Sequence, residues 1–325
     1  MLPKVSIIVP TLDQRTFIEE ALESVWSQNY SDIELIVVDG GSTDGTGAFL
    51  EANRSRIDMY ICEPDSGTSE AINKGFKTSS GELLWVLNSD DRFASSNSIS
   101  NLVNYLQDSD AGFVYGDLRI IDTNGNTIGV RRFGRLDPFN LLTDRRQLPW
   151  TGCLLRRQTL SRVGYFDEEL KFSNDLDFFL RLACQTTIIH LQSITGELRI
   201  HKQSSTLSNI HASAYESIKV SKKFLDMQSN LFSREQLNEI NAIIIYFQVS
   251  TQFHTGDAIG ARNSIKCLMQ ADQKYYGVPK VWIYYLCSLF GNRILFILAS
   301  TFRKLIRTRL FYLVNNSNFF MFTRR

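Results

Sequence analysis

The stretch VSIIVPTLD, residues 5–13, decides how the rest of the chain is read. Val5 to Val9 runs without a charge and stops at Pro10, as a strand buried on both faces does. A polar cluster, Thr11-Leu12-Asp13, follows at once. Outward from there the pattern repeats. Phe17, Ile18, Ala21, Leu22, Val25 and Trp26 recur at helical spacing, and Ile33 to Val38 reads as a second buried strand closed by Asp39-Gly40-Gly41. Ser42 suits the N-cap of a short helix. Met59 to Cys62 reads as a strand, Ala71 to Phe76 as a helix, and Leu83 to Leu87 as a strand ending in Asn88-Ser89-Asp90-Asp91. Apolar strands joined by helices call for a parallel sheet with right-handed crossovers. Three polar clusters then fall beyond the C-terminal ends of strands, the edge where open α/β sheets bind ligands.

After Asp91 the character changes. Asn124-Gly125, between Leu118–Ile121 and Thr127–Val130, reads as a hairpin turn. Further polar clusters continue to about residue 207, and from about residue 212 the chain looks helical and poor in chemistry. No internal repeat or low-complexity tract is present.

The chain has 325 residues, 43% hydrophobic, 21% charged and 12% aromatic, which is the composition of a globular protein and not of a disordered one. A formal charge of +1 argues against a nucleic-acid partner, which a basic excess would favour. The charge is unevenly placed. From Val278 onward there are eight Lys or Arg and no acid, so the preceding part sets 27 basic residues against 34 acidic ones. An acidic body with a basic, aromatic tail suggests two surfaces with two partners. Five cysteines, none in a C-x-x-C pair, support neither a zinc site nor a disulfide framework. A cytoplasmic setting is expected, and the apolar run near Met1 is too short for a signal-peptide core.

Four constellations carry chemistry. Asp90 and Asp91 repel each other unless a proton or cation intervenes, and a hard divalent ion shared with a diphosphate would supply that charge. Asp39 with Gly40 and Gly41 offers an acceptor and a backbone that a flat ring can approach. Asn73 and Lys74 place neutral and cationic donors near the same edge. Asp175, expected in the first turn of a helix through Leu176, Phe179 and Leu180, could take a proton from a hydroxyl. Each has a bland alternative: helix-start acids, a tight loop, a solvated face, or dipole complementation. His201 could ligate a metal or contact a phosphate, although a lone His is usually neither. Tyr115-Gly-Asp117 and Trp150-Thr-Gly-Cys153 are candidates for an acceptor side, with Trp150 either a stacking face or plain core.

Taken in order, VSIIVPTLD, IVVDGGSTDGT, EPDSGTSEAINKG and GELLWVLNSDD resemble the opening of inverting family 2 glycosyltransferases with the GT-A fold. VGYFDEEL, NDLDFFLRL and RIHKQSST resemble that family's acceptor-side segments, so the likeness spans about residues 3–207. The resemblance implies an α/β, Rossmann-like, mainly parallel sheet with an antiparallel acceptor-side part, plus a C-terminal helical region. It divides the chain into a catalytic domain, residues 1–211, with a nucleotide half to about 91, and a helical region, 212–325, whose basic tail begins at 278. It implies that Thr11, Asp13, Asp39, Asn73, Lys74 and Ser89 bind the nucleotide, that Asp90, Asp91 and His201 hold Mn or Mg, and that Asp175 is the base. Asp117 and Trp150 are placed on the acceptor side. Implied partners are a nucleotide-sugar donor, UDP-linked in preference, and a saccharide or lipid-linked saccharide acceptor in surface polysaccharide or glycolipid synthesis.

Three positions depart from the pattern: Asn88 replaces the first Asp of D-x-D, Asn174 stands where Glu is frequent, and Ile72 stands where a base-contacting Arg is common. The departures keep open a sugar-nucleotide-binding module without catalysis. A nucleotidyltransferase is a further rival, although Thr11-Leu-Asp-Gln lacks its Gly-rich basic loop. Segments 281–290 and 294–302 are too short to span a bilayer, and suit either docking on an anionic inner membrane face or packing on the catalytic domain.

Overall fold

The computed structural model describes residues 2–144, 149–201 and 209–289. The chain forms two compact units, residues 1–202 and 203–325. In the first, strands β1 (Val5–Thr11), β2 (Ile33–Asp39), β3 (Met59–Cys62) and β4 (Leu83–Val86) run parallel in the order β3-β2-β1-β4. The connections are helices α1 (Ile18–Trp26), α2 (Thr46–Ala52) and α3 (Thr68–Thr78). Strands β1, β2 and β4 are mostly apolar because both faces are covered, whereas the edge strand β3 is partly exposed. Ile7, Val9 and Trp85 face a core built with Ile18, Leu22 and Leu50, while Ile8, Leu84 and Val86 face another built with Ile72 and Phe76.

The sheet continues as β4-β8-β6-β9-β5, with β8 (Cys153–Arg156) antiparallel to both β4 and β6 (Phe113–Ile121). Strand β9 (Ile188–Arg199) runs parallel to β6 and antiparallel to β5 (Arg92–Phe93), and β7 (Thr127–Arg131) closes the expected hairpin onto β6. Helices α4 (Ser98–Gln107), α5 (Pro138–Thr143), α6 (Arg157–Val163) and α7 (Asn174–Gln185) complete the unit. The sheet is mixed, parallel from β3 to β4 and largely antiparallel beyond, which agrees with the sequence reading of a GT-A sheet with an antiparallel acceptor-side part. One difference is β9, which is twelve residues long where only Glu197–Ile200 looked strand-like.

The second unit is helical: α8 (Ile210–Gln228), α9 (Arg234–Thr255), α10 (Ala258–Ala271) and α11 (Pro279–Leu289). Ser233 and Gln236 form a capping box that starts α9, and the Asp257 carboxylate accepts the Gly260 N–H at 2.8 Å to start α10. Ala242, Val249, Phe253, Ile265, Leu268 and Tyr284 form its core. No helix among the described residues is long and apolar enough to cross a membrane. Of the basic tail expected from 278, residues 290–325 lie outside the described residues.

Candidate active site

The site is assembled on the edge where β1, β2 and β4 end. In the β1–β2 register Thr11 stands opposite Asp39. The Thr11 hydroxyl is buried and makes no hydrogen bond. Asp39 is 0% exposed and organises the loop after β2. Its Oδ1 accepts the Gly41 N–H at 3.2 Å, the Ser42 N–H at 2.9 Å and the Ser42 hydroxyl at 2.6 Å, while Tyr60 donates to Oδ2 at 3.3 Å. The loop therefore takes up most of the carboxylate, which does not reach solvent in this conformation. Asp13, in the left-handed region at φ 51°, accepts the Thr43 N–H at 2.7 Å and cross-links the β1 and β2 loops.

The two glycines answer different needs. Gly41 has φ +94°, a conformation that side chains disfavour. At Gly40 a Cβ would lie 2.7 Å from Asp65 Oδ2, so the missing side chain lets the β3–α3 loop close over the β2 end. Burial pushes the Asp65 carboxyl up from the usual carboxylate range. Asp65 lay inside a quoted motif but was not among the candidates; the spacing Asp-Ser-Gly before a helix was the available signal.

Beyond β4, the two neighbouring acids differ. Asp90 is partly exposed, and its Oδ2 accepts a hydrogen bond from His201 Nε2 at 2.9 Å. His201 is buried, lies 4.8 Å from the Phe17 ring and, among the described residues, leaves Nδ1 without a partner. Asp91, 1% exposed, accepts the Arg199 N–H at 2.9 Å, the Asn88 amide at 3.3 Å and the Thr151 hydroxyl. Burial first, and then the Asp90 charge, push its pKa up. The expectation for Asp91 was a metal ligand; in the structure its oxygens join β4, β9 and the turn Trp150–Gly152. Asn88 is also explained, since its amide donates where an Asp would set a third negative charge against Asp91. Ser89 is buried in the same turn.

The donor set left for a divalent ion is Asp90 and His201. Their 2.9 Å separation suits neighbouring ligands of an octahedral ion, and an orphaned buried imidazole nitrogen marks the spot as polar and incompletely bonded. Among the described residues no group of three or more His, Cys, Asp or Glu could close a site on protein atoms alone. The residues therefore fit an open site completed by phosphate oxygens and water, as Mg²⁺ commonly has.

Behind this pair runs an ionic network absent from the sequence reading. Arg199, its side chain 0% exposed, donates to the Asp90 carbonyl at 2.8 Å, to Glu20 at 2.7 Å and to the Asp122 carbonyl at 3.1 Å. Glu197 accepts from Arg92 and Arg119. Paired charges on alternate residues of a strand, in GELRI, were the signal.

Asp175 opens α7. Burial raises its pKa to about 7, opposed by the nearby Trp150 indole N–H. Trp150 is 2% exposed and caged by aromatic rings, which corrects the reading of a stacking face open to a sugar. The turn it begins connects the two halves of the site, because the next residue, Thr151, donates to Asp91. At the start of α7, Asn174 donates to the Ser69 hydroxyl at 2.8 Å in the first turn of α3 and accepts the Asp175 N–H at 3.0 Å. Both nucleotide expectations on α3 meet an obstacle. Asn73 is buried, with its amide bonded to the Phe166 backbone at 3.0 Å and to Glu168 at 2.8 Å. Lys74 is paired with Glu63 and Glu70, each at 2.9 Å. Ile72 lies in the core. Asp117 is buried too, accepting from His190 at 2.9 Å and the Phe133 N–H at 3.1 Å, beside a groove of about 550 Å³ lined also by Arg132 and Arg135.

Known proteins are similar to this chain in sequence or in fold. An uncharacterised glycosyltransferase of Rickettsia typhi is 27% identical over 216 residues, covering 63% of this chain and 66% of that protein. A PGL/p-HBAD biosynthesis glycosyltransferase from Mycobacterium tuberculosis is 27% identical over 184 residues, 55% of this chain and 69% of its own length. In structure, S. aureus TarS residues 1–349 with UDP-GlcNAc superimposes at TM-score 0.59 and 18% identity, covering 93% of this chain and 92% of that one. The mannosyltransferase PcManGT of Pyrobaculum calidifontis, with GDP-Man and Mn²⁺, gives 0.55 and 17%, covering 94% and 88%. Residues 6–169, just over half of the sequence, match the glycosyl transferase family 2. With that match laid over a GT-A sheet and its edge of acids, the chain belongs to glycosyl transferase family 2.

Proposed function

We propose that the chain is an inverting, metal-dependent transferase that moves a sugar from a nucleotide-sugar donor, UDP-linked in preference, to a hydroxyl of a saccharide or lipid-linked saccharide. The single observation that supports this reading is the packing that joins the Asp175 helix to the cation pair: Phe178 and Phe179 of α7 pack on Trp150, the next residue Thr151 donates to Asp91, and beside it Asp90 meets His201. It joins a carboxylate suited to proton transfer to a pair suited to a cation, on the edge where Thr11 and Asp39 end their strands. The glycolipid role of the M. tuberculosis relative supports a surface saccharide or glycolipid as product.

The chemistry then needs no enzyme nucleophile. A divalent ion held by Asp90 and His201 would supply positive charge to the leaving nucleoside diphosphate. Asp175 takes the proton of the acceptor hydroxyl as its oxygen attacks the anomeric carbon, and a single displacement inverts configuration. A pKa near neutrality suits that base, because it is ionised often enough to act and basic enough to accept. Thr11 offers its unpartnered hydroxyl to the nucleoside, while Asp39 and Asp13 hold the loop that shapes its pocket. Asn73 and Lys74 act one step away, fixing the loops on either side of α3.

The test is a thermal-shift screen of UDP-, GDP- and dTDP-sugars with and without Mn²⁺. A metal-dependent rise in the unfolding midpoint, lost in Asp90→Ala, is expected. Stabilisation independent of both metal and Asp90 would remove the cation from the reading.

A further inference from the structure

Trp150 carries a donor that its surroundings do not use. The ring is 2% exposed and is packed by Phe76, Phe113, Phe166, Phe178 and Phe179, with centroids 5.0 to 6.4 Å away. An indole N–H buried among rings needs an acceptor, and leaving it without one is costly. Trp150 Nε1 nevertheless makes no full hydrogen bond among the described residues. The turn that carries it is pinned: the Thr151 carbonyl accepts the Trp85 indole N–H at 3.0 Å, and the Thr151 hydroxyl donates to Asp91. Asp175 lies one turn before Phe178 and Phe179 on the same face of α7, and both of those rings pack on Trp150.

We propose that Trp150 is a positioning residue for Asp175, its indole N–H closing a hydrogen bond onto one oxygen of the ionised carboxylate and leaving the other for the acceptor hydroxyl. This rests on Asp175 being the base. A donor to a carboxylate favours the charged form, so the indole counteracts the burial that raises the Asp175 pKa to about 7. Among the described residues, the other titratable groups nearby are neutral or paired elsewhere. Cys153, on β8, is kept neutral by burial and by Asp175 itself. On α7, Asp177 is paired with Arg181 at 2.8 Å. In the loop before α7, Glu168 is bonded to Asn73 and Lys171 to the Ser66 carbonyl. No charge on α3, α5 or α6 contributes to the Asp175 shift.

The experiment is the pH dependence of kcat/KM for Trp150→Phe, which keeps a ring in the cage and deletes the N–H. The acidic limb should move up by about one pH unit, with donor affinity and unfolding midpoint close to wild type. A limb that stays in place in the folded variant overturns the proposal. Asp175→Asn is run beside it: retained transfer there refutes the base reading itself, whereas lost transfer with an unmoved Trp150→Phe limb refutes only the role of Trp150. If Trp150→Phe does not fold, the assigned indole resonance of ¹⁵N-labelled wild type replaces it. That resonance should titrate near pH 7 and stop doing so in Asp175→Asn; a signal indifferent to pH overturns the proposal equally.

Discussion

Asp90 and Asp91 are chemically identical neighbours placed in opposite surroundings. Asp90 bonds one imidazole and is partly open, while Asp91 is sealed and braces three segments. Their alanine variants should therefore fail differently. Asp91→Ala strips the Arg199 N–H, the Asn88 amide and the Thr151 hydroxyl of their acceptor and should cost about 2–4 kcal/mol in urea unfolding. Asp90→Ala should unfold within about 1 kcal/mol of wild type yet lose Mn²⁺-dependent nucleotide binding by calorimetry. Equal destabilisation of the two variants would contradict the division. The sequence displayed both acids and the strand before them, so the place was legible. Which acid faces the ligand was not, because burial is set by Thr151 and Arg199, distant in the chain. Gly40 is a similar case: its neighbour in space is Asp65, and Gly40→Ala should cost about 1–3 kcal/mol unless that carboxylate moves.

At the scale of elements, the parallel half was readable and β9 was not, for one physical reason. A strand covered on both faces is a continuous apolar run, which marks β1, β2 and β4 without ambiguity. Strand β9 mixes Gln192, Ser193, Thr195, Glu197 and Arg199 with its apolar residues, and the burial of Thr195, Glu197 and Arg199 is tolerable only because other elements supply partners. Arg199 illustrates the dependence, since it ties β9 to α1 through Glu20 and to the Asp90 backbone. Arg199→Met should destabilise by about 3–5 kcal/mol, because Glu20 and the carbonyls lose a cation they cannot replace. Chemical denaturation would measure it. A loss below about 1 kcal/mol would show the network to be as weak as ordinary surface pairs. Helix α7 was legible in its periodicity, including Asp175 in the first turn, whereas the Asn174–Ser69 contact that joins it to α3 leaves no trace in sequence spacing.

For the whole molecule, Asp175 links activity and stability to pH. Its folded pKa of about 7 lies above the ordinary carboxylate value of about 3.9. Its contribution to stability is then full below about pH 4 and is lost as pH rises through about 7. The advantage of Asp175→Asn in unfolding midpoint over wild type should accordingly grow as pH rises from about 4 to about 7, and wild-type transfer should increase toward the upper end of that range. A difference that does not vary with pH would place the Asp175 pKa in the ordinary range. The helical unit bears a separate expectation. Trp282, Ile283, Leu286 and Leu289 of α11 are exposed and lead into the basic segment. Such an arrangement favours anionic membrane docking, so the full chain should float with anionic vesicles and a chain lacking residues 278–325 should not. Equal flotation would end that idea. The most direct measurement joins binding to chemistry in one variant: calorimetric affinity for nucleotide-sugar with Mn²⁺, and single-turnover transfer, in Asp175→Asn. Unchanged affinity with transfer reduced by about 10²-fold or more is expected of a missing base. Transfer at the wild-type rate would contradict convergence of these acids on a single catalytic centre.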